Sequence, residues 1–242
     1  MAAKGSDRDL LVWERPEPAG RAGAPPLAAD AVAAVAMGIA DREGLHAVSV
    51  KRVASRLGFP AARLEEYLPS RDDLLDLMLD AAFGEIAVPD RADSAGWRED
   101  LEAIARATQV VAIRHPWLRV LAGTRTPCGP NGLRNSERVL AAMDGLELDA
   151  ATKTNAANTV LAFVYGFVQL EMAHTNRKGD DDAADLARRT HTAAYLGEQI
   201  GTGNYPRLAQ VFTDADLTAE DAFGTGLGYV LDGVACCVAA NR

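Results

Sequence analysis

The sequence predicts an all-α fold, and three observations support that prediction. Apolar residues recur at a spacing of three or four over most of the chain of 242 residues. Glycine, proline and hydroxyl-bearing residues separate these runs in the pattern that starts and stops helices. No stretch shows the strict alternation that a half-buried strand requires. We therefore expect nine or ten helices and no sheet.

The first 26 residues (1–26) are predicted to form a flexible arm. They contain four prolines, three glycines and no lasting periodicity. Four basic and four acidic residues leave the arm without net charge. Only the apolar patch from Leu10 to Trp13 is expected to dock on the rest of the protein.

Three helices are predicted between residues 27 and 69. Ser49 is expected to cap the second of them, which runs from 50 to 57 and ends at Gly58. Pro60 suits the first turn of the third helix, because proline lacks only an N–H group that this turn does not use. Residues 27–69 should therefore form a compact three-helix domain.

A longer helix is predicted at residues 70–88 and should link the two parts of the protein. Ser70 is a suitable N-cap, and Asp72 and Asp73 in the first turn interact favourably with the helix dipole. Residues 89–242 are predicted to form the larger helical domain. Its helices are expected at 97–114, around Trp117, at 133–143, 149–175, 183–200 and 218–239, with a short turn around Leu208.

The composition argues against several classes of protein, namely membrane-spanning, secreted and generally nucleic-acid-binding proteins. No run approaches the roughly 18 apolar residues that a membrane span needs, and the first residues lack the apolar core of a signal peptide. Three cysteines fit a reducing compartment. We therefore expect a cytoplasmic protein with no membrane partner. The net charge of −9 argues against nucleic-acid binding by the whole surface, although a local basic patch is compatible with it.

Motifs for catalysis are missing from the sequence. It contains no nucleophile elbow, no paired-carboxylate motif and no cluster of metal ligands, and the four histidines are scattered. Glu171 and His174 form a Glu-x-x-His pair, which alone is weak support for a metal. We therefore expect no enzyme activity, no cofactor and no metal site.

The motif "SVKRVASRLGFPAARLEEYLPSRDDLL", residues 49–75, is specific in its order and spacing. Together with the helix before it, the motif resembles the tetracycline-repressor (TetR) family of bacterial regulators. In the second half, "GWREDLEAIA", "RHPWL", "GPNGL" and "FGTGLGYVLDG" resemble segments of the effector domain in the same family. The matching positions of the first motif are Ser49, Val53, Ala54, Leu57, Gly58, Leu64, Tyr67, Arg71 and Leu74.

The resemblance implies a helix-turn-helix DNA-binding domain at 27–69, a linking helix at 70–88, and an effector-binding and dimerisation domain at 89–242. It implies a homodimer on a double-stranded DNA operator, where phosphate contacts supply affinity and base contacts supply specificity. Glu66 is one of the expected DNA-binding residues because glutamate can accept a hydrogen bond from cytosine. The expected DNA-binding residues are Arg21, Ser49, Lys51, Arg52, Arg63, Glu66, Tyr67 and Arg71.

Two features depart from a typical DNA-binding module. Glu65 occupies the position where the family commonly places a phosphate-contacting aromatic residue, and its carboxylate would repel a phosphate. Residues 27–88 carry six Lys or Arg against ten Asp or Glu, a net of −4. Two functions stay open: a ligand-responsive regulator, in the first instance a repressor of a palindromic operator, or a dimeric ligand-binding or interaction protein of the same fold whose DNA binding is weakened or lost.

The larger domain is expected to bind a small-molecule effector in an apolar pocket with a few polar anchors. The same residues are also compatible with plain core or a dimer interface. Tetracycline repressors carry a magnesium-binding histidine where this sequence has Leu121, so the magnesium–tetracycline complex is not the expected effector. The expected lining residues are Trp117, Thr124, Arg125, Phe163, Phe167, Gln169 and Glu171.

The last helix contains Gly224, Gly226, Gly228 and Gly233, which would let two helices approach closely. We expect it to form a two-fold symmetric dimer interface. The predicted mechanism is a two-state dimer, in which the effector favours a state whose recognition helices are wrongly spaced for the operator.

Overall fold

The computed structural model describes residues 10–17, 27–88, 96–179, 183–214 and 222–240, which form eleven α-helices and no strand. This confirms the all-α prediction. The helix count exceeds nine or ten because the segment around Leu208 forms a helix of its own. The helices are α1 (Ala29–Glu43), α2 (Val50–Leu57), α3 (Ala61–Tyr67), α4 (Arg71–Gly84), α5 (Trp97–Arg114), α6 (Leu118–Thr124), α7 (Pro130–Ala141), α8 (Ala150–Gly179), α9 (Ala183–Gly201), α10 (Pro206–Asp214) and α11 (Ala222–Ala240).

The helix ends in the first third of the chain follow from local capping groups. The Ser49 side chain accepts a hydrogen bond from the backbone N–H of Arg52 at 3.3 Å, and Gly58 ends α2 in the left-handed conformation. Ser70 and Asp73 form a capping box at the start of α4. The predicted caps at Ser49 and Ser70 are therefore confirmed.

A first apolar core joins the helix-turn-helix to part of the larger domain. It contains the buried faces of α1 to α4 and also receives Val111 from the end of α5, Leu118 and Leu121 from α6, and Val168 from α8. The linking helix α4 thus lies inside the core of the N-terminal module. The first core extends across the boundaries predicted at residues 69 and 88.

A second apolar core lies entirely within the larger domain. The start of α5, the end of α7, the first half of α8 and α11 contribute to it. Phe163 and Phe167 of α8 pack with Phe223 of α11, with ring centroids 5.3–5.7 Å apart. This aromatic cluster holds α11 against α8.

Several helices expose large apolar side chains. Leu186, Tyr195 and Phe212 on α9 and α10 are more than half exposed, as are Leu170 on α8 and Tyr229 on α11. Residues 150–173 of α8 and most of α11 are long and apolar enough, by length and composition alone, to cross a membrane. Neither helix contains an uninterrupted apolar run of about 18 residues, which is the test that the sequence prediction used.

Candidate DNA interface and effector domain

The third helix presents an acidic face to solvent. Ala62, Glu65 and Glu66 are exposed on α3, whereas Leu64 and Tyr67 point into the core. Tyr67 is only 4% exposed, and burial is the main reason why the pKa of its hydroxyl is raised. The expectation that Tyr67 contacts DNA is therefore wrong in this structure, because the ring packs inside the protein.

The cationic residues near α2 and α3 have different surroundings. Lys51 is exposed, whereas the Arg52 guanidinium lies 2.6 Å from a Glu43 carboxylate oxygen. Arg63 stacks over the Phe59 ring at 4.8 Å. Lys51 is the candidate whose surroundings leave its ammonium most accessible to phosphate.

Arg71 joins the start of α4 to the turn before α2. Its guanidinium donates to the backbone oxygens of Val48 at 3.0 Å and Leu45 at 2.6 Å. The side chain stays exposed, so a phosphate contact is still geometrically open to it. Ser49, Lys51 and Arg71 line one shallow cleft, in which Glu65 is the acidic member.

Part of the N-terminal arm is docked on the DNA-binding module. Val12 lies in a short 3-10 helix and is 2% exposed. Arg15 donates to the backbone oxygens of Leu10 and Tyr67 and forms an ion pair with Asp73 at 2.9 Å. Val12 docks as expected for the patch from Leu10 to Trp13, and the docked segment continues to residue 17, which corrects the prediction of a flexible arm for residues 14–17. The minor-groove candidate Arg21 lies outside the described residues.

Three carboxylates along one side of α4 hold the loop between α6 and α7. Arg125 forms ion pairs with Asp72 and with Asp76, the latter at 2.6 Å. One turn further on, Asp80 accepts hydrogen bonds from the backbone N–H groups of Asn131 and Gly132, both at 2.9 Å. We call Asp72, Asp76 and Asp80 the α4 carboxylate row. It connects the linking helix to the effector domain.

A second junction surrounds His115 at the end of α5. Its Nδ1 lies 2.8 Å from Asp41 of α1, and its Nε2 lies 3.1 Å from Glu85 after α4. Trp117 donates its indole N–H to the same Asp41 oxygen at 2.7 Å. Burial raises the pKa of the Glu85 carboxyl, but hydrogen bonds from His115 and Arg114 outweigh burial and lower it overall. These side chains tie the DNA-binding module directly to α5 and α6.

Several expected effector residues have structural partners instead. Trp117 is 4% exposed and bonded to Asp41, and Arg125 is occupied by α4. Thr124 donates to the backbone oxygen of Val120 in its own helix. Trp117 and Arg125 therefore support the domain junction.

The remaining effector candidates divide between core and surface. Phe163 and Phe167 belong to the second core, as their aromatic cluster requires. Gln169 and Glu171, which were expected to line an apolar pocket, are exposed. Gln169 accepts a hydrogen bond from Arg119 of α6.

Two buried polar groups were missed in the sequence. The Asn135 side chain on α7 and the Tyr165 hydroxyl on α8 are buried, and neither the Asn135 Oδ1 nor the Tyr165 oxygen has a hydrogen-bond partner within the described part of the chain. Burial raises the pKa of the Tyr165 hydroxyl to about 12. The feature of the sequence that could have identified Asn135 is a polar residue among the apolar residues on one face of α7.

Residues 89–238 match the family model described as the tetracycline repressor-like C-terminal domain. That match covers more than half of the chain and begins after the linking helix α4. The chain belongs to the TetR family. A repressor of this family from Streptomyces coeruleorubidus, DrrR1, is 32% identical over 96% of this chain and 86% of its own length.

Two further TetR-family proteins resemble the chain over nearly its whole length. A transcriptional regulator from Saccharopolyspora erythraea is 33% identical over 93% of this chain and 91% of its own. The crystal structure of ActR from Streptomyces coelicolor with actinorhodin is 28% identical, with a TM-score of 0.71 over 88% of this chain and 99% of that one. These relatives are transcriptional regulators, and one of them has been solved with a small molecule.

Proposed function

We propose that this TetR-family protein is a ligand-responsive transcriptional repressor that binds a palindromic operator as a homodimer and is released by a small molecule. The α4 carboxylate row carries the proposal. It joins the helix that continues from the DNA-binding module to the loop that opens α7 of the effector domain. A shift of that loop would therefore move the DNA-binding module.

Double-stranded DNA is the macromolecular partner in this proposal. The second helix of the pair, α3, would enter the major groove, and α2 would cross the backbone. Ser49 and Lys51 lie at the start of α2, where backbone N–H groups favour phosphate. Arg52, Arg63, Glu66 and Arg71 stay in the proposed interface, while Tyr67 is left out because it is buried.

A homodimer would cover the exposed apolar surfaces of the larger domain. Leu170 on α8 and Tyr229 on α11 are 63% and 73% exposed, and the two helices pack against each other within one chain. Two such pairs, related by a two-fold axis, would form a four-helix interface. The same burial explains the apolar character of both helices without a membrane, so we place the protein in the cytoplasm.

The proposed mechanism is a population shift between two dimer states. In the operator-binding state the two recognition helices would lie about 34–36 Å apart, one turn of DNA. The effector would bind better to a state with another spacing, and only that difference in affinity can release the operator. The complex of ActR with actinorhodin supports a small molecule in this role. No catalysis, cofactor or metal enters the mechanism.

Glu65 favours a second candidate function. This exposed carboxylate lies in the same cleft as Lys51, where it would repel a phosphate. The protein would then be a TetR-fold ligand-binding or interaction protein with weakened or lost DNA binding. The two candidates differ in one measurable property, which is specific affinity for DNA.

An electrophoretic mobility shift assay with DNA from upstream of the protein's own gene tests the proposal. We expect a discrete shifted band at low and at physiological salt, competed by the unlabelled fragment and not by bulk DNA. A genome-wide pull-down of bound fragments extends the test to other operators. The absence of any specific fragment in both assays would leave the second candidate as the function.

A further inference from the structure

The two apolar cores meet along a polar layer in the effector domain. On α5, Ile104 and Ala105 belong to the second core and Val111 to the first, and the buried Thr108 lies between them. On α8 the division falls between Val164 and Val168. The buried faces of both helices therefore change from one core to the other at the same level.

The unpartnered polar groups stand next to members of the second core on two neighbouring helices. Tyr165 directly follows Val164 on α8, and its hydroxyl oxygen is inaccessible to solvent. On α7, Val139 packs in the second core with Val160 and Val164 of α8. Helices α7 and α8 are in contact, and Asn135 stands one turn before Val139, so both unpartnered groups border the second core.

Leaving these groups unpaired is costly. A buried hydroxyl or amide without a hydrogen bond forfeits its hydration, typically about 1–3 kcal/mol. The Thr108 hydroxyl avoids this cost by donating to the backbone oxygen of Ile104 at 2.8 Å. Asn135 and Tyr165 have no such local solution, and buried polar atoms of this kind point to a ligand or water.

We propose that Asn135 and Tyr165 are the polar anchors of the effector site, and that they select an uncharged, mainly apolar molecule carrying a hydroxyl and a carbonyl group. A ligand hydroxyl would donate to the Asn135 amide oxygen, and a ligand carbonyl would accept from the Tyr165 hydroxyl. This assignment rests on the proposed small-molecule response.

The charge of the surrounding layer sets the ligand class. Among the described residues, the buried polar side chains are Asp100, Thr108, His115 and Asn135. Asp100 lies in the first turn of α5, and His115 is held between two carboxylates. Neither provides an unpaired charge at the level of Tyr165, so a charged ligand would lose its hydration without compensation.

Isothermal titration calorimetry of the full chain tests the proposal with two probes. One is 1,8-dihydroxyanthraquinone, which carries hydroxyl and carbonyl groups on one edge. The other is anthraquinone, which lacks the hydroxyls. The variants are Tyr165→Phe and Asn135→Leu, with Tyr205→Phe as a matched control because Tyr205 is 48% exposed.

We expect each site variant to weaken binding of the dihydroxy probe about tenfold, the scale of one lost hydrogen bond. Anthraquinone keeps the carbonyl groups and lacks the hydroxyls, so its binding should weaken about tenfold in Tyr165→Phe and change less than twofold in Asn135→Leu. The control should bind both probes as the wild type does. The melting temperature without ligand should stay equal or rise, because each change removes an unpaired polar group. The melting temperature without ligand therefore distinguishes a residue that binds the ligand from one that only stabilises the fold.

The assignment is overturned if wild type binds neither probe, or if both site variants bind the dihydroxy probe with unchanged affinity. A melting temperature that falls by several degrees in both variants would also overturn it, since the groups would then be structural. These outcomes are independent of the mobility shift assay. Operator binding without effector would still support the repressor.

Discussion

Asp80 of α4 caps the first turn of α7 through Asn131. Its Oδ1 accepts the backbone N–H of Asn131 at 2.9 Å, and its Oδ2 accepts the Asn131 side-chain amide at 3.1 Å. Gly129 leaves the room for this contact, because a Cβ there would lie 2.3 Å from Asp80 Oδ1. The linking helix therefore supplies the N-cap of an effector-domain helix.

Asp80→Ala should lower the free energy of unfolding by about 1–2 kcal/mol, the usual value of a lost N-cap. Urea unfolding followed by circular dichroism measures the change. Asp144→Ala is the control, because Asp144 is exposed in the loop after α7. Equal stability of the two variants would mean that the cap contributes nothing.

Arg125→Gln should impair effector response more than operator binding. The change removes the ion pairs with Asp72 and Asp76 and so weakens the link between the α6–α7 loop and α4. We expect the effector concentration for half-release of the operator to rise roughly five- to tenfold. The measurement is a titration of the protein–DNA complex by fluorescence anisotropy. Arg207→Gln, an exposed change on α10, should leave the titration curve unchanged.

Arg15→Ala should destabilise the protein by about 1–3 kcal/mol at pH 7, because its ion pair with Asp73 is largely buried. Burial raises the pKa of the Asp73 carboxyl, but hydrogen bonds from Arg15 and Ser70 hold it below its ordinary value of 3.8. Because the pKa of Asp73 is lower in the folded state, the ion pair stabilises the protein at pH values above 3.8. This stabilisation is lost as the pH falls through the folded-state pKa.

The difference between wild type and Arg15→Ala should therefore be constant from pH 5 to 7 and shrink below about pH 4. Urea midpoints across this range test it. Arg52→Ala removes a more exposed ion pair and should cost less than about 1 kcal/mol. A pH-independent loss in Arg15→Ala would show that the effect is packing and not the ion pair.

Glu65→Tyr should tighten operator binding about five- to tenfold, because it removes a carboxylate from the phosphate-facing cleft. Lys51→Ala should weaken binding to all DNA sequences by a similar factor. It should also reduce by about one the slope of the logarithm of affinity against the logarithm of salt concentration. Both are measured as dissociation constants at several salt concentrations. If Glu65→Tyr still binds no sequence, the module has lost its DNA function.

Gly226→Ala should destabilise the effector domain by about 1–3 kcal/mol, because a Cβ would lie 2.8 Å from the Phe163 ring. Gly123→Ala on α6 is the control. A Cβ there meets nothing within 4 Å, and replacing a helical glycine should raise stability by up to about 1 kcal/mol. A neutral Gly226→Ala would mean that α11 can move away from α8 at little cost.

The helices of the N-terminal half were predictable because their signals are local. Ser49, Gly58 and Ser70 mark helix ends through hydrogen bonds and backbone conformations within three residues. The bounds of α2 and α5 agree with the sequence prediction for the same reason. Family membership followed from the spacing of that same region.

The site was less predictable because its contacts are distant in sequence. Trp117 and Arg125 have polar partners 76 and 49 residues away, on α1 and α4. On α8, apolar residues occur on all sides, so periodicity did not show that Gln169 would be exposed. Asn135 becomes visible as a candidate only when its burial and its missing partner are known.

The pairing of acidic side chains changes the electric field that a DNA duplex would meet. Of the ten acidic residues in 27–88, seven contact an arginine, a histidine or a helix N-terminus. Arg15, Arg114 and Arg125 lie outside that range, so the formal count of −4 omits three of the compensating charges. The other three are Asp30 on α1 and Glu65 and Glu66 on α3. On the helix proposed to enter the major groove, the repulsion felt by a duplex therefore comes from Glu65 and Glu66, where two substitutions would reverse it.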